Sequence, residues 1–269
     1  MIHGKVSITG NGVVSVTGDQ ASLEVSSGLA SIAGSLTAVS GASITLMMTN
    51  YPHPAGCLVG NLLADGTGSR LVMPTLQTMS GSACSILSVR SLRGGLVSMP
   101  LLELFTEGFI TLEAEGPGSR MDLPMLEGIT ATRRSVTLSA RNEGVIDAPR
   151  NGGGLMLEVV VRFCGTLATH QLTSLNGFTF DGISPDLALL ETLGSGKVLA
   201  ENGAQIVLPS LTEYRPIQTC FSERWSATGA GSKLSFPALS QMEGPTCGKL
   251  EIAARSGAEI LLPQLRSVL

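Results

Sequence analysis

Asp122 and Asp147 stand 25 residues apart, each two positions ahead of a proline (Pro124 and Pro149), and Arg120 lies two residues before the first of them. Two carboxylates brought onto neighbouring strands beside a cation suit acid–base work on a polysaccharide, or the holding of a sugar acid. Two solvated aspartates would leave the same mark. If the chain is an enzyme, Asp122, Asp147 and Arg120 are its expected catalytic set; otherwise it has none.

A second group of charged residues recurs at one phase of the chain: Asp65, Arg90, Glu115, Arg141, Arg162, Asp181, Glu201 and Arg255, with Thr228 at the same phase. Their signs mostly alternate, as they must if equivalent positions stack about 5 Å apart without repulsion. The plain expectation is a ladder of exposed ion pairs. Alternation fails between Arg141 and Arg162, so these two, with Glu115, are the expected binding residues, and an anion is expected at that step.

Cysteines repeat in phase too. Cys57 and Cys220 lie 17 residues before Pro74 and Pro237, while Cys84 and Cys247 lie 16 before Pro100 and Pro263. Each pair occupies one slot of neighbouring repeats, within reach of a disulfide. Cys57–Cys84 and Cys220–Cys247 are therefore either disulfides or stacked thiols, and Cys164 is left over. There is no C-x-x-C pair, and His3, His53 and His170 are scattered, so neither a metal site nor a cofactor is expected.

The elements that must position these residues are set by a repeat. The phrases "RLVMPTLQTM", "RMDLPMLEGI", "QIVLPSLTEY", "KLSFPALSQM" and "EILLPQLRSV" place Pro74, Pro124, Pro209, Pro237 and Pro263 at one phase, and further copies place Pro100 and Pro149 there. Two degenerate copies, with His170 and Ala188 in the proline slot, fill the longest gap and shorten the spacing there to 21 and 18 residues. The period is about 24 residues over nine units. Each unit begins with an alternating strand, as in Leu112 and Ala114, Leu138 and Ala140, Val198 and Ala200, or Ile252 and Ala254. A tight turn, a second short strand and the proline corner follow. "GTGSR", "GPGSR" and "GAGSK" resemble phosphate loops but recur at the turn, where chain reversal calls for glycine at positive φ.

The chain of 269 residues has 43% apolar and only 14% charged residues, with 33 glycines and 4% aromatics. Such a composition argues against a helical protein and suits many short strands. A net charge of −4 gives no reason to expect nucleic acid, and no apolar run reaches the length of a membrane helix. The expected fold is all-β: a single parallel β-helix of about eleven coils over residues 1–269, with plain three-strand coils at 1–56 and nine proline-marked coils at 57–269.

The L-P-x-L phrase followed by a strand resembles the β-helix coils of bacterial surface proteins and the repeats of receptor L-domains, whose strand-end asparagine is matched at Asn142 and Asn202. The resemblance implies a surface or extracellular role in binding or scaffolding. The expected function is therefore a non-catalytic structural or binding module. The alternatives are a carbohydrate-active lyase or hydrolase and a self-assembling cytoplasmic β-helix. Expected partners are a second copy end to end or flanking repeats, and carbohydrate; the location is the cell surface if the chain is part of a longer one and the cytoplasm otherwise.

Overall fold

The computed structural model describes residues 7–8, 13–25, 31–32, 34–51, 57, 59–82, 84–129, 135–216, 220 and 222–269. His3, His53 and most of the strand expected at 5–10 lie outside the described residues. Over the described residues the protein is an all-β parallel β-solenoid. Its ladders are parallel, and an isolated antiparallel bridge joins Ser82 and Phe109. The chain divides into two compact units, one of Met1–Arg150 with Gly165–Ala168 and one of Asn151–Cys164 with Thr169–Leu269.

In the first unit a long face stacks Val13–Thr17, Gly34–Val39, Gly60–Asp65, Ile86–Leu92, Phe109–Glu115 and Val136–Arg141. A second face runs from Ser22–Val25 through Ser43–Leu46, Arg70–Val72, Leu96–Ser98, Arg120–Asp122 and Val145–Asp147 to Thr166–Leu167. A third stacks Asn50–Tyr51, Thr78–Met79, Leu104–Phe105 and Gly128–Ile129. Period-two alternation turns one set of side chains inward on each face. Equivalent residues then stack in columns: Leu36, Leu62, Val89, Leu112 and Leu138 form one, Ala38, Ala64, Ser91, Ala114 and Ala140 the next, all fully buried. Each buried leucine contributes roughly 1.5–3 kcal/mol, so these columns are the main hold between coils.

The second unit builds its long face from Gly153–Arg162, Ser174–Asp181, Val198–Glu201, Glu223–Thr228 and Leu250–Arg255. Its inward column contains larger side chains, Val159, Phe178, Val198 and Trp225, with Trp225 stacked on Phe236 at 4.8 Å and edge-on to Tyr214 at 4.7 Å. The second and third faces are complete only from Gln205 onward, as Gln205–Val207, Lys233–Ser235 and Glu259–Leu261, and as Glu213–Tyr214, Gln241–Met242 and Ser267–Val268. After Asp181 no second-face strand forms before Val198, and Pro185 there has no N–H to place in a ladder. The hydroxyl of Ser184 takes the N–H of Gln205 instead, at 3.1 Å. The expected figure of about eleven coils is thus an overcount of three-sided turns: rungs with the short spacings near His170 and Ala188 lack one face or another.

The recurring proline occupies the second position of a β-turn. The N–H of Leu76 donates to the carbonyl of Met73, and the same bond joins Leu102 to Met99, Leu126 to Leu123, Leu239 to Phe236 and Leu265 to Leu262. Proline's fixed φ suits that slot, which sits outside the ladder and needs no donor. His170 and Ala188 stand in the same slot, spanned by bonds from Leu172 to Thr169 and from Leu190 to Leu187. The apolar residues flanking the slot at Pro74, Pro100, Pro124 and Pro237, such as Met73 and Leu76, are buried, so these turns are pinned to the core.

Candidate functional site

On the second face of the first unit, Arg120–Asp122 pairs with Val145–Asp147 in register, which puts Asp122 directly beside Asp147. Arg120 closes over both. Its Nε donates to Asp122 Oδ1, and its Nη2 donates to Asp147 Oδ2 at 2.5 Å. Hydrogen bonding to Asp122 is the main influence that holds the guanidinium more firmly protonated than usual. The three expected residues are therefore together, but as a closed ion triad with the side chains of all three partly exposed. At such exposure the pairs contribute about 0–1 kcal/mol each.

The charged ladder divides between the units. In the first, one column runs Val39, Asp65, Leu92, Glu115 and Arg141. Arg90 is not in it: Arg90 stacks between Leu63 and Glu113, two residues earlier. A slip of two preserves the inward and outward alternation, so the sequence pattern is blind to it. In the second unit the column is Arg162, Asp181, Glu201, Thr228 and Arg255. Arg141 lies 3.6 Å from Glu113, and its Nε donates to Ser139 Oγ at 2.9 Å. Arg162 lies 3.2 Å from Glu201.

Two kinds of turn join the long face to the second. The short kind places two consecutive residues at positive φ, as at Arg93 and Gly94 (50° and 88°), Asn142 and Glu143 (49° and 68°), or Asn202 and Gly203 (51° and 87°). The long kind is G-x-G-S, with both glycines at positive φ, at 66–69, 116–119 and 229–232. The serine of each long turn is buried and works twice. Ser119 Oγ donates to the Glu115 carbonyl at 2.6 Å and accepts from Gly94 N–H, in the short turn of the previous coil, at 3.0 Å. Ser69 does the same between Asp65 and Gly41, and Ser232 between Thr228 and Gly203. The loops that resemble phosphate cradles thus spend their polar groups on locking one coil to the next.

Three of the acids that end long strands, Asp65, Glu115 and Asp181, are each met by the first residue of a short turn one coil on. Arg93 takes both oxygens of Asp65, Asn142 Nδ2 donates to Glu115 Oε1 at 3.0 Å, and Asn202 Nδ2 donates to Asp181 Oδ1 at 2.7 Å. Asp65 and Asp181 are buried, so these bonds offset a desolvation cost as well as joining coils. Beside Asn142 an open hollow of about 400 Å3 is lined by Leu92, Arg93, Glu115, Gly116, Pro117 and Asn142.

Sequence reading did not single out Arg93, Asn142 as a donor, or the buried group around Glu223. A strand-ending acid followed 21 to 28 residues later by a donor ahead of a turn glycine was the available signal for the first two. Glu223 is 2% exposed, inside the second unit beside Trp225. Tyr214 Oη donates to its Oε2, while its Oε1 has no partner. Burial raises the carboxyl's pKa, with Tyr214 and Ser195 opposing the rise, and raises that of Tyr214 as well.

Disulfides join Cys57 to Cys84 and Cys220 to Cys247, with Cα–Cα distances of 5.0 and 4.5 Å, and Cys164 is an exposed free thiol. Among the described residues no three His, Cys, Asp or Glu side chains are grouped to hold a metal ion. Compared with known proteins, the chain matches no family model, no curated protein and no solved structure.

Proposed function

We propose that this β-solenoid is a non-catalytic structural or binding module working in an oxidising compartment, at a cell surface or outside the cell. The observation that carries the reading is the grip of Arg120 on Asp122 and Asp147. A general base needs a lone pair free to take a proton, and a general acid needs a proton to give. Both aligned carboxylates instead spend an oxygen on one guanidinium, so neither presents its full set of lone pairs to a substrate. The buried serines of the long turns are spent on neighbouring coils in the same way.

Two disulfides on exposed positions favour an oxidising environment over the cytoplasm. The edge strand Leu250–Arg255 pairs on one side only and leaves its inward Ile252 39% exposed. Further β-structure laid on that edge, from flanking repeats or a second copy, belongs to the same reading.

The test is a double substitution, Asp122→Asn with Asp147→Asn. Incubated with polygalacturonate, alginate and neutral glucans, the parent and the variant are both expected to release no new reducing ends and no unsaturated products. The variant's melting temperature is expected to change by no more than a few degrees, with less dependence on salt. Turnover by the parent that disappears in the variant would overturn the reading in favour of a carbohydrate-active enzyme.

A further inference from the structure

We infer that the hollow beside Asn142 binds a neutral polyhydroxylated ligand, the ring of an uncharged sugar. The inference rests on reading the chain as a binding module and gives that module a site.

The two long turns of the first unit make the comparison. At 66–69 the strand-ending acid is Asp65, and the residue that meets it from the next coil is Arg93, whose long side chain lies over the notch and takes both carboxylate oxygens. At 116–119 the acid is Glu115 and the residue that meets it is Asn142. Asparagine is three heavy atoms shorter than arginine. It reaches Glu115 with one bond to Oε1, and the space that a guanidinium occupies two coils earlier is left as the hollow.

What lines the hollow matches a sugar. Glu115 offers the carboxylate oxygen that Asn142 does not take, and Asn142 offers its amide oxygen, as acceptors for hydroxyl protons. Arg93 supplies a donor, because its bonds to Asp65 run through Nε and Nη2 and leave Nη1. Leu92 and Pro117 give an apolar floor for the C–H face of a ring. Pro117 and Asn142 are exposed, so the site is open to an extended chain. Charge selects against sugar acids: Arg93 is neutralised by Asp65, and Glu115 leaves the wall net negative.

The substitution Asn142→Arg tests this directly, since Arg93 shows that arginine is accommodated at the same turn position, at φ 50°. Binding is read by isothermal titration and ligand-observed NMR, with cellohexaose, laminarihexaose and mannohexaose as neutral probes and hexagalacturonate as the acidic one. At least one neutral probe is expected to bind the parent at submillimolar to millimolar concentration. Asn142→Arg is expected to weaken it more than tenfold with an unchanged melting curve, and Glu115→Gln severalfold; hexagalacturonate is expected not to compete. Failure of every neutral probe to bind, or equal binding to Asn142→Arg, would overturn the site. Neither failure touches the non-catalytic reading, which falls only if the protein turns a glycan over.

Discussion

A carboxyl group inside a β-solenoid is costly unless it stays neutral or fully paired, and Glu223 leaves its Oε1 without a partner. Its pKa is raised by burial, so the folded state holds the proton more tightly than the unfolded chain. Stability from this group is fully present below the ordinary glutamate value of about 4.3 and is lost as pH rises through the folded pKa. Glu223→Gln keeps an acceptor for Tyr214 and removes the titration. The variant should therefore gain melting temperature relative to the parent as pH rises from 4 to 7; parallel curves over that range would show that Glu223 does not titrate in the fold. At the same scale, sequence reading placed Asp122 beside Asp147 correctly, because both are counted from a proline two residues away. It misplaced Arg90, which is counted through a strand where Arg90 and Leu92 face the same side.

Turns, more than strands, carry the specificity between coils. Strand pairing tolerates any apolar inward residue of suitable size, whereas a buried turn serine must find both its partners. Ser119→Ala removes the donor to the Glu115 carbonyl and strands the N–H of Gly94, a loss of roughly 1–3 kcal/mol. The midpoint of urea unfolding should fall accordingly with an unchanged slope, and a midpoint equal to the parent's would mean the serine lock is idle. The proline corner was legible because its chemistry is local: a fixed φ and a missing donor mark the second turn position in any context. The link from Asn142 to Glu115 left only a spacing of acid and donor in the sequence, because which turn type faces which across coils is set by the stacking of whole rungs.

For the chain as a whole, each disulfide ties residues 27 apart in sequence across adjacent coils. Closing a loop of that size restricts the unfolded chain by about 3.5 kcal/mol in the loop-entropy model. Denatured without reductant, the protein should show one reactive thiol, that of Cys164, and reduction should lower the melting temperature measurably. Five thiols before reduction would contradict both bridges. The stapled positions lie in the segments that lead into the long-face strands, at the opposite end of those strands from the turn locks.

The period, the all-β solenoid, the inward columns and the corner positions can be read from the residues in order, since each follows from alternation of two and from residues with fixed backbone demands. The same order also puts the paired cysteines and aspartates on neighbouring coils, because counting from a corner needs no knowledge of the interior. That Arg120 closes the aspartate pair, that a buried glutamate meets Tyr214, and that an asparagine leaves open what an arginine fills two coils earlier emerge only from the packed coils. Those outcomes depend on the reach and direction of side chains across coils, distances that a one-dimensional period does not contain.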